Sequence, residues 1–183
     1  MKHLLLRMTV GLAATAMASG CATTMSVSSH VDRTLDFAQY RTFDWGPADA
    51  LPTGDPRLDR DPFFKDHVQG AVERGLAARG MGLISEGSPD LLIHYHANIT
   101  ERIDVSKADR AYGYCQGADC PPESVWYEAG TLVLDFMDAQ TNKLVWRGWA
   151  QNSVQDMLRN QDEMAGTIDR AVSEMLRQLP RTR

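Results

Sequence analysis

The first residues that could do chemistry are two histidines. His94 and His96 stand two apart in 90–105, the longest alternating run of the chain. On a strand, residues at i and i+2 share a face. A His-x-His pair can therefore offer two imidazoles to Zn²⁺ or Cu²⁺. A catalytic zinc needs a third ligand, and no Cys/His cluster supplies one at a telling spacing. His30, His67 and scattered carboxylates remain, but sequence distance does not place them. The spacing favours the plainer reading, a half-exposed polar sheet face, and no metal or other cofactor is expected. Asp55, Asp59 and Asp61 lie in a Pro/Gly-rich stretch, 46–62. They lack the Gly-centred twelve-residue loop of a Ca²⁺ site, so a solvated acidic loop is expected.

The three cysteines divide into two groups. Residues 1–7 carry Lys2 and Arg7, residues 8–18 are apolar and small, and Ala18-Ser19-Gly20-Cys21 follows. This is the three-part layout of a secretory signal, with an apolar run too short to span a bilayer as a helix. Its ending resembles a bacterial lipobox, with Ala18 where Leu is commonest. The resemblance implies that Cys21 is acylated on its thiol and, as the mature N-terminus, on its amine. Several acyl chains, at ~0.8 kcal/mol per buried CH₂, make such an anchor effectively permanent. Ala22 follows the cysteine. In enteric bacteria an Asp there tends to keep lipoproteins in the inner membrane, so the resemblance leans to the outer membrane, with the domain in the periplasm.

If the domain is exported, Cys115 and Cys120 lie in an oxidising compartment. With Cys21 acylated they are the two thiols left, and Gly117 lets the chain between them turn. A local disulfide is expected. A redox-active pair fits less well, because the spacing is not Cys-x-x-Cys. A Cys-x₄-Cys half-site for zinc lacks its other half.

Charge excludes one class of partner. The formal net charge is −5, and removing Lys2 and Arg7 with residues 1–20 takes it to −7. No Lys/Arg cluster offers a phosphate track, so no nucleic acid is expected. There is no Gly-x-Ser-x-Gly elbow, phosphate loop or dinucleotide fingerprint. No catalytic residue is assigned. The reading is a non-catalytic envelope domain that binds a protein or glycan. The alternative is a metal-dependent or hydrolytic envelope enzyme using His94 and His96.

These residues need elements to hold them. The stretch 130–150 has two β-prone runs about a polar turn, 138–142, and reads as a hairpin. Leu132, Leu134 and Phe136 share one face, and Leu144, Trp146 and Gly148 share another. An odd loop such as 139–141 would put both sets on one side, with Trp149 on the opposite side. Helical spacing of Phe64, Val68, Ala71, Val72 and Leu76 predicts a helix over 62–79, capped by Asp61 with Pro62 first. Met164, Ile168, Ala171, Val172, Met175, Leu176 and Leu179 predict a second over 162–179, stopped by Pro180. His67 sits beside the first stripe and is expected to face solvent or be satisfied locally. The aromatics of 37–45 are expected in the core. The fold class is α+β, a mainly antiparallel sheet with two amphipathic helices packed on one face. The expected layout is a signal peptide at 1–20, a tether at 21–29 and one domain at 30–183.

Three stretches together resemble the bacterial lipoproteins grouped as domain of unknown function 4136. They are Asp36-Phe37 to Trp45, Pro89-Asp-Leu-Leu-Ile-His-Tyr-His96, and the hairpin from Gly130 to Gly148. The resemblance implies an envelope lipoprotein with no established activity, and brings no catalytic residues. One expectation can be checked on protein as isolated: Cys115 and Cys120 are linked. Mass spectrometry without reductant should show the joined peptides, whereas two alkylated thiols would refute it. The stabilisation should be modest, because a short loop restricts the unfolded chain least.

Overall fold

The computed structural model describes residues 25–47, 54–103, 126–154 and 157–180. Alternation builds its centre. Strand β4, Leu91–Ile103, turns Leu91, Ile93, Tyr95 and Ala97 into the core and leaves His96 and Asn98 exposed. Strand β5, Trp126–Asp138, runs antiparallel beside it, with Leu132 opposite Ala97, Leu134 opposite Tyr95 and Phe136 opposite Ile93. Strand β6, Leu144–Ser153, completes the hairpin.

The hairpin keeps Trp146 where the pattern put it, but by another route. The loop holds four residues, since the Asp138 N–H donates to the Lys143 carbonyl and Met137 faces Leu144. An even loop inverts the parity of the second strand. A bulge then inserts Val145, so that Phe136 faces Trp146, Leu134 faces Gly148 and Leu132 faces Ala150. One extra residue restores the parity. Trp146 is fully buried, and the expected Leu144 is replaced in the core by Val145. The turn places Asn142 at φ 55°, a left-handed conformation that Asn tolerates better than most residues.

Strand β1, Ser26–Val31, lies antiparallel to β6 at one end of the sheet. It corrects the tether reading: the ordered sheet begins at Ser26, inside 21–29. Val27 and Val31 alternate toward the core and stay partly buried against it. At the other end, strand β2, Thr42–Trp45, adds parallel to β4, and the two-residue strand β3, Gly82–Leu83, adds parallel to β2. The order is β1-β6-β5-β4-β2-β3. The sheet is thus mainly antiparallel with two parallel pairings.

Helices cover one face. Between β2 and β3 lie a short helix α1, Pro56–Asp59, and the longer α2, Phe64–Ala77. The first corrects the reading of 46–62 as loop throughout. Asp55 accepts from the Arg57 N–H and Pro56 takes the first position, the same Asp-Pro start signal assigned to Asp61-Pro62. Asp61 accepts instead from the N–H groups of Phe63 and Phe64, so α2 begins two residues later than expected. All five stripe residues of α2 are buried. Helix α3, Gln161–Arg177, starts at Asn160, whose side chain accepts from Asp162 and Glu163. The two helices meet where Gly75 lies against Leu176; a Cβ there would sit 2.4 Å from the leucine Cδ1. Their stripes and the inward residues of the strands form one core.

Trp146 is at its centre. Its ring centroid is 4.8 Å from that of Phe136, and a Cβ on Gly148 would fall 2.2 Å from the indole. Trp149, of opposite parity, is 36% exposed on the uncovered face. Truncating a fully buried Trp typically removes ~3–5 kcal/mol. Trp146→Ala should therefore lower the melting temperature by on the order of 10 °C in a domain of this size. Trp149→Ala should move it little. Thermal denaturation followed by circular dichroism decides, and equal damage from both would reject this packing.

Candidate functional site

The uncovered face carries the polar parity of each strand. One row crosses four strands: His94 on β4, Asp135 on β5, Arg147 on β6 and His30 on β1. At its centre the Arg147 guanidinium grips Asp135 with two bonds of 2.6 Å, from Nε to Oδ1 and from Nη2 to Oδ2. Such paired, charge-assisted contacts are the strong class of hydrogen bond. Asp135 is only 5% exposed although it lies on the open side. Its carboxylate holds the Arg147 pKa above the ordinary guanidinium value.

The next row is His96, Val133, Trp149 and Ser28. The one after it includes Thr131 and Gln151, whose side chains bond at 2.9 Å. His94 and His96 do share this face, as the spacing required, but they address different neighbours. His94 lies against the backbone of Gly46 just past β2; a Cβ there would be 2.3 Å from its ring. His96 Nε2 stands 3.8 Å from Asp135 Oδ2, whose oxygens already accept from Arg147. Among the described residues no group of three His, Cys, Asp or Glu side chains is placed to hold a metal ion. His67 departs from its expected setting: its Nε2 is buried and lacks a hydrogen-bond partner among the described residues, with Phe63 tilted beside the ring. Cys21, Cys115 and Cys120 lie outside the described residues.

The pattern missed Asp135 with Arg147. A plain three-residue loop pairs Asp135 with Val145; the fourth loop residue and the bulge each shift the partner by one, which brings Arg147 into that place. The available signal is parity alone: both residues sit at outward-facing positions of the hairpin.

A second polar cluster fastens one end of the sheet. Asp90 Oδ2 accepts from the N–H groups of Arg41 and Thr42, at 2.8 and 2.9 Å, which locks β2 beside β4. Burial opposes ionisation of Asp90, but these bonds outweigh it and its pKa lies below the usual range. Asp138 Oδ1 accepts from the Thr141 N–H, the Gln140 N–H and the Thr141 hydroxyl, while Oδ2 accepts from the Tyr40 hydroxyl. Its carboxyl is also held low, chiefly by the Thr141 N–H. The partners of both carboxylates are fixed by the fold, so this cluster reads as structural. A groove of about 380 Å³ between α2 and α3 has Arg74, Arg79 and Arg177 at its rim. Arg74 pairs with Asp169 and Arg177 with Glu174, so those two charges are answered locally.

Fold and face together define a class: small α+β domains whose sheet is closed by helices on one side and carries a polar, aromatic surface on the other. The chain belongs to the DUF4136 family, a domain of unknown function whose model matches residues 27–181. Solved structures share the fold at low identity. A DUF4136 family protein from Bacteroides thetaiotaomicron is 14% identical with a TM-score of 0.54, over 86% of this chain and 97% of that one. A PelC dodecamer from Paraburkholderia phytofirmans is 10% identical with a TM-score of 0.53, over 87% and 100%. A PDZ domain protein from Parabacteroides distasonis is 14% identical with a TM-score of 0.54; the match covers 88% of this chain and 38% of that one. At these identities the likeness is one of fold alone. Comparison with curated protein sequences found no match.

The ion pair on the open face makes an energetic test. Arg147→Ala leaves the Asp135 carboxylate nearly buried without its strongest partner. Arg147 is itself half exposed, so solvent screening trims the loss to about 2 kcal/mol. Asp135→Asn with Arg147→Met, which removes both charges, should recover part of that. Chemical denaturation of the three proteins reads it; a single variant as stable as the parent would show the pair to be inert.

Proposed function

We propose that this is a cell-envelope lipoprotein, held through lipid on Cys21 at the outer membrane, whose domain binds an envelope protein or glycan without catalysis. The observation that carries the binding reading is the one-sided sheet. Its helix-facing side chains close the core, while His94, His96, Arg147 and Trp149 look outward from the other face. An exposed Trp presents a flat apolar surface, and a neighbouring Arg presents directional donors. A sugar ring or a planar protein surface is matched by that combination. The anchoring reading is supported by the basic, apolar and small-residue sequence ending at Cys21. It is supported also by the likeness of three stretches to lipoproteins of this family. Among the described residues no helix is long and apolar enough to cross a membrane, which says nothing of strands.

The enzyme alternative asks for a third ligand or a nucleophile–base pair beside His94 and His96. Among the described residues neither is found beside them: one imidazole is against Gly46 and the other beside an engaged Asp135.

Palmitate labelling of cells making the wild type or Cys21→Ser tests the anchor. Label in the wild type only is expected, and label in neither or both would defeat it. The binding face is tested by crosslinking whole cells that carry the wild type or Trp149→Ala with His96→Ala. Loss of crosslinked envelope material at an unchanged melting temperature is expected. A Zn²⁺-dependent rise in melting temperature that His96→Ala abolishes would instead favour the metal reading.

A further inference from the structure

We propose that strand β1 is a self-pairing edge, joining β1 of a second copy of this chain antiparallel about a two-fold axis at Ser29. The alternation of hydrogen bonds shows which groups of β1 point away from β6. The Asp32 N–H donates to the Val145 carbonyl, so Asp32 and Val145 form a hydrogen-bonded pair in the antiparallel ladder. Such pairs recur at every second residue. Ser26, Ser28 and His30 therefore turn their peptide groups toward β6, and Val27, Ser29 and Val31 turn theirs to the outside. The Val27 carbonyl confirms this direction. It accepts from the Gln178 side chain, a long and exposed contact of 3.4 Å that lies away from β6.

Native edges are normally blunted with Lys, Pro, a bulge or very short length. The opposite edge follows that rule, since β3 has two residues. Strand β1 has six residues, Ser-Val-Ser-Ser-His-Val, with no Lys, Pro or acidic group and no irregularity against β6. Its outward set is also its own complement. With the axis at Ser29, Ser29 faces Ser29, and Val27 of each copy faces Val31 of the other on the helix side. On the open face Ser28 of each copy lies opposite His30 of the other, a hydroxyl beside an imidazole. No like charges meet. The arrangement uses the same edge of both copies and, among the described residues, leaves the two-residue β3 edges outside, so it closes at two. An unrelated strand would fit the same peptide groups but would not be matched by this symmetry.

The pairing also extends the candidate site, a consequence that rests on the binding role proposed above. The row His94, Asp135, Arg147, His30 would continue onto Ser28 and then Trp149 of the second copy. The exposed indole would lie two strands, about 10 Å, from His30. A ligand reading both the charged row and the aromatic surface would then span two chains.

The test uses the full chain in the cells that produce it, with single cysteines added on β1. In a hydrogen-bonded antiparallel pair the Cα atoms are about 5.5 Å apart, within the range a disulfide bridges. Ser29→Cys should give a covalent dimer under mild oxidation, seen on a non-reducing gel and lost with reductant. Ser26→Cys is the control, since its two copies would be roughly 20 Å apart along the strands. It also reports any crosslinking through the native cysteines. Adding Gln178→Ala to Ser29→Cys frees the Val27 carbonyl and should raise the dimer several-fold. Dimer from Ser29→Cys no greater than from Ser26→Cys would overturn the proposal, as would a disulfide to a different protein. The gel reads pairing alone, so failure of the binding role would leave its result unchanged.

Discussion

The indole of Trp146 lies across Gly148, in space that any other residue at 148 would fill with its Cβ. Much of the architecture follows from accommodating that ring. Gly148 must face the same way as Trp146, so the strand has to keep strict alternation there. Phe136 must stand opposite to pack at 4.8 Å, which fixes the β5–β6 register. On the covered side helices α2 and α3 lie close together where Gly75 meets Leu176. Among the described residues the indole Nε1 has no partner, so the ring is held by packing and not by its N–H. The same register sets Asp135 opposite Arg147 on the reverse face. The ion pair and the core ring are thus two readouts of one alignment.

The family motifs acquire a physical meaning in this frame. Asp36 to Trp45, Pro89 to His96 and the 130–148 hairpin are far apart in sequence, yet they meet at one end of the sheet. Asp90 grips the N–H groups of Arg41 and Thr42, and the Tyr40 hydroxyl reaches Asp138 in the hairpin turn. Parallel strands need a long crossover and gain less per residue than antiparallel ones. A carboxylate that bridges β2 to β4 offsets part of that disadvantage. In this chain the three stretches therefore share a physical task, fastening the parallel pair β2–β4 to the hairpin.

Periodicity carried the sheet faces, both long helices and the opposed roles of Trp146 and Trp149. These are properties of single elements, and burial imposes them residue by residue. What it did not carry depends on counting across elements. The four-residue loop and the Val145 bulge cancel in parity, so the facing of Trp146 came out correctly for a reason the pattern could not show. Pairing partners do not survive the same cancellation, so Asp135 with Arg147 is not legible in the pattern. The first four residues of the strand Ser26–Val31 read as tether because Ser26, Ser28 and Ser29 look like a linker. Their strand character comes from the β6 edge beside them. His94 and His96 share one face, as their spacing requires, but their different neighbours, Gly46 and Asp135, come from strand pairing that no single run reveals.

The early start of β1 sets a length scale. If lipid is attached at Cys21, five peptide steps separate it from Ser26, the first residue of the sheet. Fully extended, that contour is at most about 18 Å. It is shorter than the roughly 30 Å hydrocarbon thickness of the bilayer itself. A leash of that reach leaves the domain no freedom to explore the depth of an aqueous compartment. It would slide with the membrane surface, meeting other molecules by lateral diffusion in two dimensions. Whatever it contacts would have to be presented within a few nanometres of the headgroups.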